Sequence, residues 1–259
     1  LEVASLSSKG SSFKSLHRTP EPSQREDFVT GYGAQEYAKG LSGRNIALWQ
    51  SHGYFYDSGA KRWNWQRPCL FQTVEDMYTQ SYVLPFLVPM LENAGAYLLM
   101  PRERDIQRNE VIADNDGGCG ARGKAEYTEK GKWKKIEQGF ADVQEVYGNF
   151  ESPFGMGTAR KADCTSQSSS KHSEIIWRPE IPERGEYSVY ISYLTLPEST
   201  SSAHYTVNHM GGSSEFIVNQ KLGGGMWVYL GTFEFDKGNG SCVTLTSRTP
   251  KGYTHNKKA

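Results

Sequence analysis

Cysteine is scarce in this 259-residue chain: Cys69, Cys119, Cys164 and Cys242 are the four present, too few and too widely spaced for a disulfide-dense scaffold or a paired CxxC zinc site. Net charge is missing as well. Lysine plus arginine and aspartate plus glutamate number 29 each, so no long-range field recruits nucleic acid or an anionic membrane surface. Long apolar runs are also lacking, since the stretch Tyr82 to Met90 falls far short of the ~20 residues that span a bilayer. No membrane span is expected. The opening LEVASLSSKGSSFKSLHRTPEPSQ has no apolar core of the kind a secretory leader carries, so an exported chain would have lost that leader already.

What is plentiful is glycine and aromatic residues: 27 Gly, 15 Tyr and 6 Trp lean toward a turn-rich β protein of the kind common outside the cytoplasm. Residues 1–43 are polar without a sustained period and read as an extended lead-in. Asn45 to Gln50 is a short apolar run that fits a buried strand ending at Ser51, His52 and Gly53. Thr73 is placed to cap a helix with apolar positions Val74, Met77, Tyr78, Ser81, Leu84, Val88 and Leu91, interrupted by Pro85 and Pro89 and stopped at Asn93, Ala94 and Gly95. Ala96 to Met100 reads as a second buried strand. Residues 44–116 are thus expected to hold a βαβ unit.

Residues 117–173 are a boundary region with first, poorly readable strands. From 174 to 250 the alternation is clear: Tyr187, Val189, Ile191 and Tyr193; Tyr205, Val207 and His209; Phe216 and Val218; Trp227, Tyr229, Phe233 and Phe235. Gly211-Gly212, Gly223 to Gly225 and Asn239-Gly240 separate these runs at the spacing of a sandwich. The expected fold is an α/β segment followed by an all-β sandwich module.

Two side chains stand out for chemistry. His52, at a strand end, and Glu75, at a helix start, are suitable zinc ligands if they converge on one cleft. Read for structure alone, they are a hydrogen-bonded histidine and a helix N-terminal charge. Trp177 and Tyr190 are candidate glycan contacts, while Trp227, Tyr229, Phe233 and Phe235 alternate as core residues should. His204 and His209 read as surface or cross-strand side chains. Gly118 to Lys124 fits G-x-x-x-x-G-K without the Ser or Thr that a phosphate loop needs, Asp114-Asn115-Asp116 reads as a turn, and Cys69 as a buried free thiol.

NIALWQSHGYFY followed by TVEDMYTQSYVLPFLVPMLENAGAYLLMPRERD resembles the zinc-dependent N-acetylmuramoyl-L-alanine amidases, and is similar to amidase-like Bacteroidetes proteins often labelled xanthan lyase. The resemblance carries His52-Gly53, Glu75, Leu91 to Gly95, and Arg102 with Asp105, over residues 44–116. It implies an incomplete amidase-like domain in which His52 and Glu75 hold zinc, with the third ligand and the general base lying outside this chain. IIWRPEIPERGEYSVYISY, HYTVNHMGG and VNQKLGGGMWVYLGTFEFDKGNGSCVTLT resemble the sandwich module called golvesin-like or xanthan-lyase carbohydrate-binding-like. In larger relatives such a module interrupts the amidase-like domain. The expected activity is therefore amide hydrolysis on peptidoglycan or muropeptides, completed by the remaining C-terminal part of the same precursor. The other reading is a non-catalytic secreted or cell-surface module that binds glycan or protein on an amidase-like scaffold. Peptidoglycan or another polysaccharide is the expected partner in either case, in the periplasm, on the outer cell surface or secreted.

Overall fold

The computed structural model describes residues 27–33, 39–67, 69–101, 104, 107–117, 123–144, 146–148 and 150–253. In chain order the first strands are β1 Val29–Tyr32, β2 Asn45–Ala47, β3 Tyr54–Asp57, β4 Arg62–Trp65, β5 Cys69–Leu70 and β6 Thr73–Val74. A helical stretch follows as α1 Glu75–Tyr82, a π turn Val83–Leu87 and α2 Val88–Asn93, and leads into β7 Tyr97–Leu99. The rest is strand: β8 Ala125–Lys130, β9 Lys134–Gly139, β10 Gly157–Lys161, β11 Glu174–Pro179, β12 Gly185–Ile191, β13 Ala203–His209, β14 Gly212–Val218, β15 Val228–Phe235 and β16 Cys242–Thr246. The chain is mostly β.

Six strands pair antiparallel in the order β1-β14-β13-β16-β11-β8. A separate ribbon, β12 with β15, lies across this sheet, and the core is the apolar layer between them: Ile181, Tyr187, Ile191, Val228, Leu230 and Phe235 against Tyr205, Val207, Val218 and Leu245. The lead-in takes part, for β1 forms an edge of the sheet and Phe28 is buried in the core. Its first 26 residues lie outside those described.

The alternation expected along β15 is out of phase over its first half. Val228 and Leu230 are buried while Trp227 is exposed and Tyr229 only half-buried; Phe235 is then buried as expected. Pairing explains the switch, because Val189 opposes Gly231 while the next residue, Tyr190, opposes Tyr229, leaving Leu230 as an extra residue. A bulge of this kind inverts which side chains face inward. In β12, β13 and β14 the expected inward residues Tyr187, Ile191, Tyr205, Val207 and Val218 are buried.

The helix also departs from its expected phase. Val74, not Thr73, is the capping residue, and it makes no side-chain cap bond, since Thr73 and Val74 are spent on β6. Val83, Val88, Leu84 and Leu91 pack inward with Ala96 and Leu98, whereas Met77 and Tyr78 are exposed. Proline cannot donate an N–H to the helix ladder; Pro85 lies within the π turn that absorbs the mismatch and rotates the later residues, and Pro89 falls in the first turn of α2. Gly95 closes the helix at φ 97, with its N–H on the Glu92 carbonyl at 2.8 Å. β2 and β7 are parallel, Asn45 opposite Tyr97 and Ala47 opposite Leu99, and together form a sheet of only two strands.

Because Leu230 is the residue the bulge turns inward, Leu230→Ala is expected to cost about 3 kcal/mol by denaturant unfolding. Exposed Thr232 on the same strand is expected to cost within about 0.5 kcal/mol as Thr232→Ala. Equal costs would show that the bulge does not set the phase of β15.

Candidate functional site

His52 sits just beyond β2, after Ser51, a non-glycine residue in the left-handed region at φ 77. The carboxylate that lies beside it belongs to Asp76, in the first turn of α1: Asp76 is fully buried, with Oδ1 3.7 Å from His52 Nδ1 and Oδ2 accepting the Arg67 N–H at 3.2 Å. Glu75, the neighbour expected to coordinate metal, is exposed. Helical periodicity separates the two, since adjacent residues point about 100° apart. The Arg67 guanidinium occupies the imidazole, its Nε donating to Nδ1 at 3.3 Å and its Nη2 lying 3.0 Å from Nε2.

These residues do not suit a zinc ion as arranged. A guanidinium stands against both imidazole nitrogens, where a dication would bring like charge within a few ångströms. Among the described residues no three or more His, Cys, Asp or Glu converge. Arg102 and Asp105, which the resemblance pairs with this site, lie outside the described residues, as do His17, Cys119 and His255. No catalytic step is derived through zinc. Metal analysis of the purified chain is expected to give the same zinc content for His52→Ala as for the parent; a lower content in the variant would restore His52 as a ligand.

A different part of the molecule gathers aromatic and polar groups. β8 and β11 place Tyr127 opposite Trp177, with ring centroids 6.0 Å apart at 51°. Above them β10 brings Arg160, whose Nε donates to Glu129 at 2.8 Å and whose Nη1 donates to Thr158 Oγ1 at 2.8 Å. The Asp114-Asn115-Asp116 turn closes the group. Asp116 accepts the Thr158 hydroxyl and, at 2.6 Å, its backbone N–H, and Asn115 Nδ2 donates to the Thr158 carbonyl at 3.1 Å. Trp177, Tyr127, Arg160 and Asn115 line one cleft with Ile136, Lys161 and Tyr193, above a floor of Ile175, Tyr205 and Leu245. Its enclosed volume is about 60 Å³, room for a few waters and not for a sugar ring, so a larger ligand must lie across its mouth.

Charge in the turn beside this cleft is unevenly held. Burial pushes the Asp114 carboxyl up to about 6, against the backbone N–H groups of Asp116 and Asn115 that favour its ionised form. Asp116 behaves oppositely: partial burial is outweighed by the hydrogen bonds from Thr158 and by nearby Arg160, and its carboxyl is held below the usual range. Burial, then the hydrogen bond to Glu129, raises the Tyr127 phenol well above its ordinary value, so it is a neutral donor.

Tyr190, the other candidate contact, is half-buried and meets Tyr229 across the ribbon at 5.4 Å. With Tyr97, Arg104, Trp227 and Tyr229 it lines a small depression in which the Arg104 guanidinium stacks 3.8 Å over the Tyr229 ring. These groups join β7 to the ribbon, and the Tyr97 hydroxyl donates to the Tyr229 carbonyl at 2.8 Å. His204 and His209 make the cross-strand contacts expected of them, to Glu215 at 2.6 Å and Ser214 at 3.0 Å. Cys69 is an exposed free thiol, not a buried one; Cys164 is free and half-buried, and burial raises its thiol to about 11. Arg160 and Thr158 are not marked in the sequence, since β10 falls where no clean alternation marks a strand, and Asn115 is visible there only as part of the Asp-Asn-Asp turn.

Comparison with known proteins adds three findings. A family model described as the Golvesin C-terminal domain matches residues 121–254. A xanthan lyase of Bacillus sp. (strain GL1) is 32% identical over 147 residues, a stretch that is 55% of this chain and 13% of the relative. A solved structure of a Paenibacillus xanthan lyase aligns with 51% of this chain and 11% of its own at 22% identity and a TM-score of 0.38. The chain thus spans about an eighth of the curated relative's length.

The raised Asp114 carboxyl has a sign that can be measured. Between about pH 4, its unfolded range, and about pH 6 the folded state holds more protons than the unfolded one, so stability is present below the window and falls as pH rises through it. Asp114→Asn, which removes the titration, is expected to gain about 1 kcal/mol over the parent at about pH 7.5, once solvent screening is allowed for, and nothing at about pH 4. A pH-independent difference between the two would place Asp114 in an ordinary aqueous setting.

Proposed function

We propose, from the premise that the chain belongs to the Golvesin C-terminal domain family over residues 121–254, that it is a secreted or cell-surface module that binds polysaccharide without catalysing its breakdown. The observation that carries this is the cleft that Trp177 and Tyr127 line with Arg160 and Asn115. Aromatic faces stack on the apolar faces of sugar rings, and the polar groups around them satisfy hydroxyls at the same time. The name of the Bacillus relative, a xanthan lyase, supports a polysaccharide as the ligand class. The family match takes in β8, β9 and β10, so these walls of the cleft lie within the matched region, while the turn carrying Asn115 precedes it.

The arrangement favours binding over hydrolysis. Arg160 is held by Glu129 and Thr158, Asp116 by Thr158, and the Tyr127 hydroxyl by Glu129, so these groups are fixed in place before any ligand arrives. The peptidoglycan amidase reading would place chemistry at His52 instead, and there the Arg67 guanidinium blocks the imidazole.

Titration of the full chain with soluble polysaccharides, xanthan first, is the direct test. Binding is expected, and Trp177→Ala is expected to weaken it about tenfold, equivalent to losing about 1.4 kcal/mol of stacking. Absence of binding to every polysaccharide tried would end the reading. Release of muropeptides by the parent would replace it with the hydrolytic one.

A further inference from the structure

The β3–β4 hairpin carries a second aromatic surface that neither core absorbs. Tyr54 stands opposite Trp65 and Tyr56 opposite Trp63, so strand alternation sends all four rings to one face, with Phe55 and Asn64 on the other. Tyr54, Trp63 and Trp65 are exposed to 50%, 52% and 37%, and none of the four rings packs in either hydrophobic cluster. Exposed rings gathered at this density on one small element mark a place of interaction. They also hold one another in a fixed array: Tyr54 and Trp63 lie within 2° of parallel with centroids 6.1 Å apart, while Trp65 abuts Tyr54 edge-on at 4.7 Å and Tyr56 abuts Trp63 at 5.7 Å.

Charge at the hairpin is divided between its two sides. Lys61 is exposed at the turn, whereas Arg62 stands opposite Asp57 and alternates with it onto the Phe55 side, and Arg67 at the base is held by His52 and Asp76. Asp57 Oδ1 is occupied in closing the turn, accepting the N–H groups of Gly59 and Ala60 at 3.0 Å each. The face itself is built of Tyr and Trp, whose flat rings end in polar atoms, and contains no aliphatic side chain. That composition suits sugar rings better than an apolar protein surface, which aliphatic anchors would serve.

We propose that the Tyr54, Tyr56, Trp63 and Trp65 face is a stacking platform for an acidic polysaccharide, with Lys61 at the turn pairing with its carboxylates. The sugar rings lie against the parallel Tyr54 and Trp63 faces, and the Lys61 ammonium at the turn selects uronate-bearing chains over neutral ones. The inference rests on the polysaccharide-binding reading above, and adds to the sandwich cleft a separate surface with its own preference.

Affinity electrophoresis of the full chain through gels containing polygalacturonate or dextran tests it. The parent is expected to be retarded by polygalacturonate much more than by dextran. Trp63→Ala with Trp65→Ala is expected to weaken retardation by about tenfold or more, whereas Trp63→Phe with Trp65→Phe, which keeps the rings, stays within about threefold of the parent. Lys61→Ala is expected to remove most of the salt dependence. Because the substituted rings are exposed, all variants are expected to melt within about 2 °C of the parent. If the double alanine variant runs like the parent while Trp177→Ala does not, the platform is overturned and the cleft stands. If the parent is retarded by neither polymer, nor bound by any polysaccharide in titration, both fall together. Equal retardation by dextran and polygalacturonate overturns the acidic preference.

Discussion

A six-stranded sheet covered by a two-stranded ribbon has more inner face than the ribbon can hide. At ~4.8 Å between strands the sheet is about 24 Å across, and β12 with β15 covers only its middle. Each flank is closed in its own way. On the β1 side Phe28 and Tyr97 meet edge to face at 5.1 Å, and the chain passes over Phe28 at Gly223, where a Cβ would come within 2.1 Å of the ring. On the β8 side the cover is the β9–β10 hairpin. Gly139 and Gly157 face one another there, and a Cβ at Gly157 would stand 1.9 Å from the Phe140 carbonyl oxygen. The gap left between ribbon and hairpin is the cleft of Trp177 and Arg160, so the candidate site is a consequence of the width mismatch.

Strand β7 shows the same economy of burial. Its period of two divides it between two cores: Tyr97 and Leu99 pack against the sandwich, while Leu98, flanked by Ala96, faces the helix cluster of Val83 and Val88. A strand covered on both faces reads as an unbroken apolar run, which is how Ala96 to Met100 appears in the sequence. The buried Tyr97 hydroxyl, raised out of its ordinary titration range by desolvation, stays a neutral donor to the Tyr229 carbonyl and keeps the α/β segment against the ribbon.

Legibility in the sequence tracked how local each determinant is. The alternation of β12, β13 and β14 was readable because each strand keeps one phase from end to end. The inversion in β15 was not, because a bulge depends on the partner strand, at the Val189 and Tyr190 step, and no residue of β15 announces it. The helix was visible from its apolar spacing and Gly95, but its phase depended on how Pro85 and Pro89 would be accommodated. Trp177 lines the cleft while packing against the sandwich core; Asn115 and Arg160 line it too, tied together through Thr158 by pairing across the fold. Sequence position alone does not say which of the adjacent carboxylates Glu75 and Asp76 the helix turns inward, and it is Asp76 that is buried.

That last choice bears on what the His52 cluster does. An isolated two-stranded hairpin is marginal in water and needs anchoring at its base. The Gln66 N–H donates to the Gly53 carbonyl at 3.0 Å, the Arg67 N–H to Asp76 at 3.2 Å, and the Arg67 side chain clasps His52. Asp76 sits where the N-terminal end of α1 favours a carboxylate, which offsets part of the cost of burying one. Its Oδ1 nevertheless has no hydrogen-bond partner, and the same holds for buried Gln50 Oε1. The residues that look catalytic when read along the chain thus form the clamp at the foot of the aromatic hairpin. Their arrangement explains both the occupied imidazole and the fixed stance of the Tyr54 and Trp63 rings.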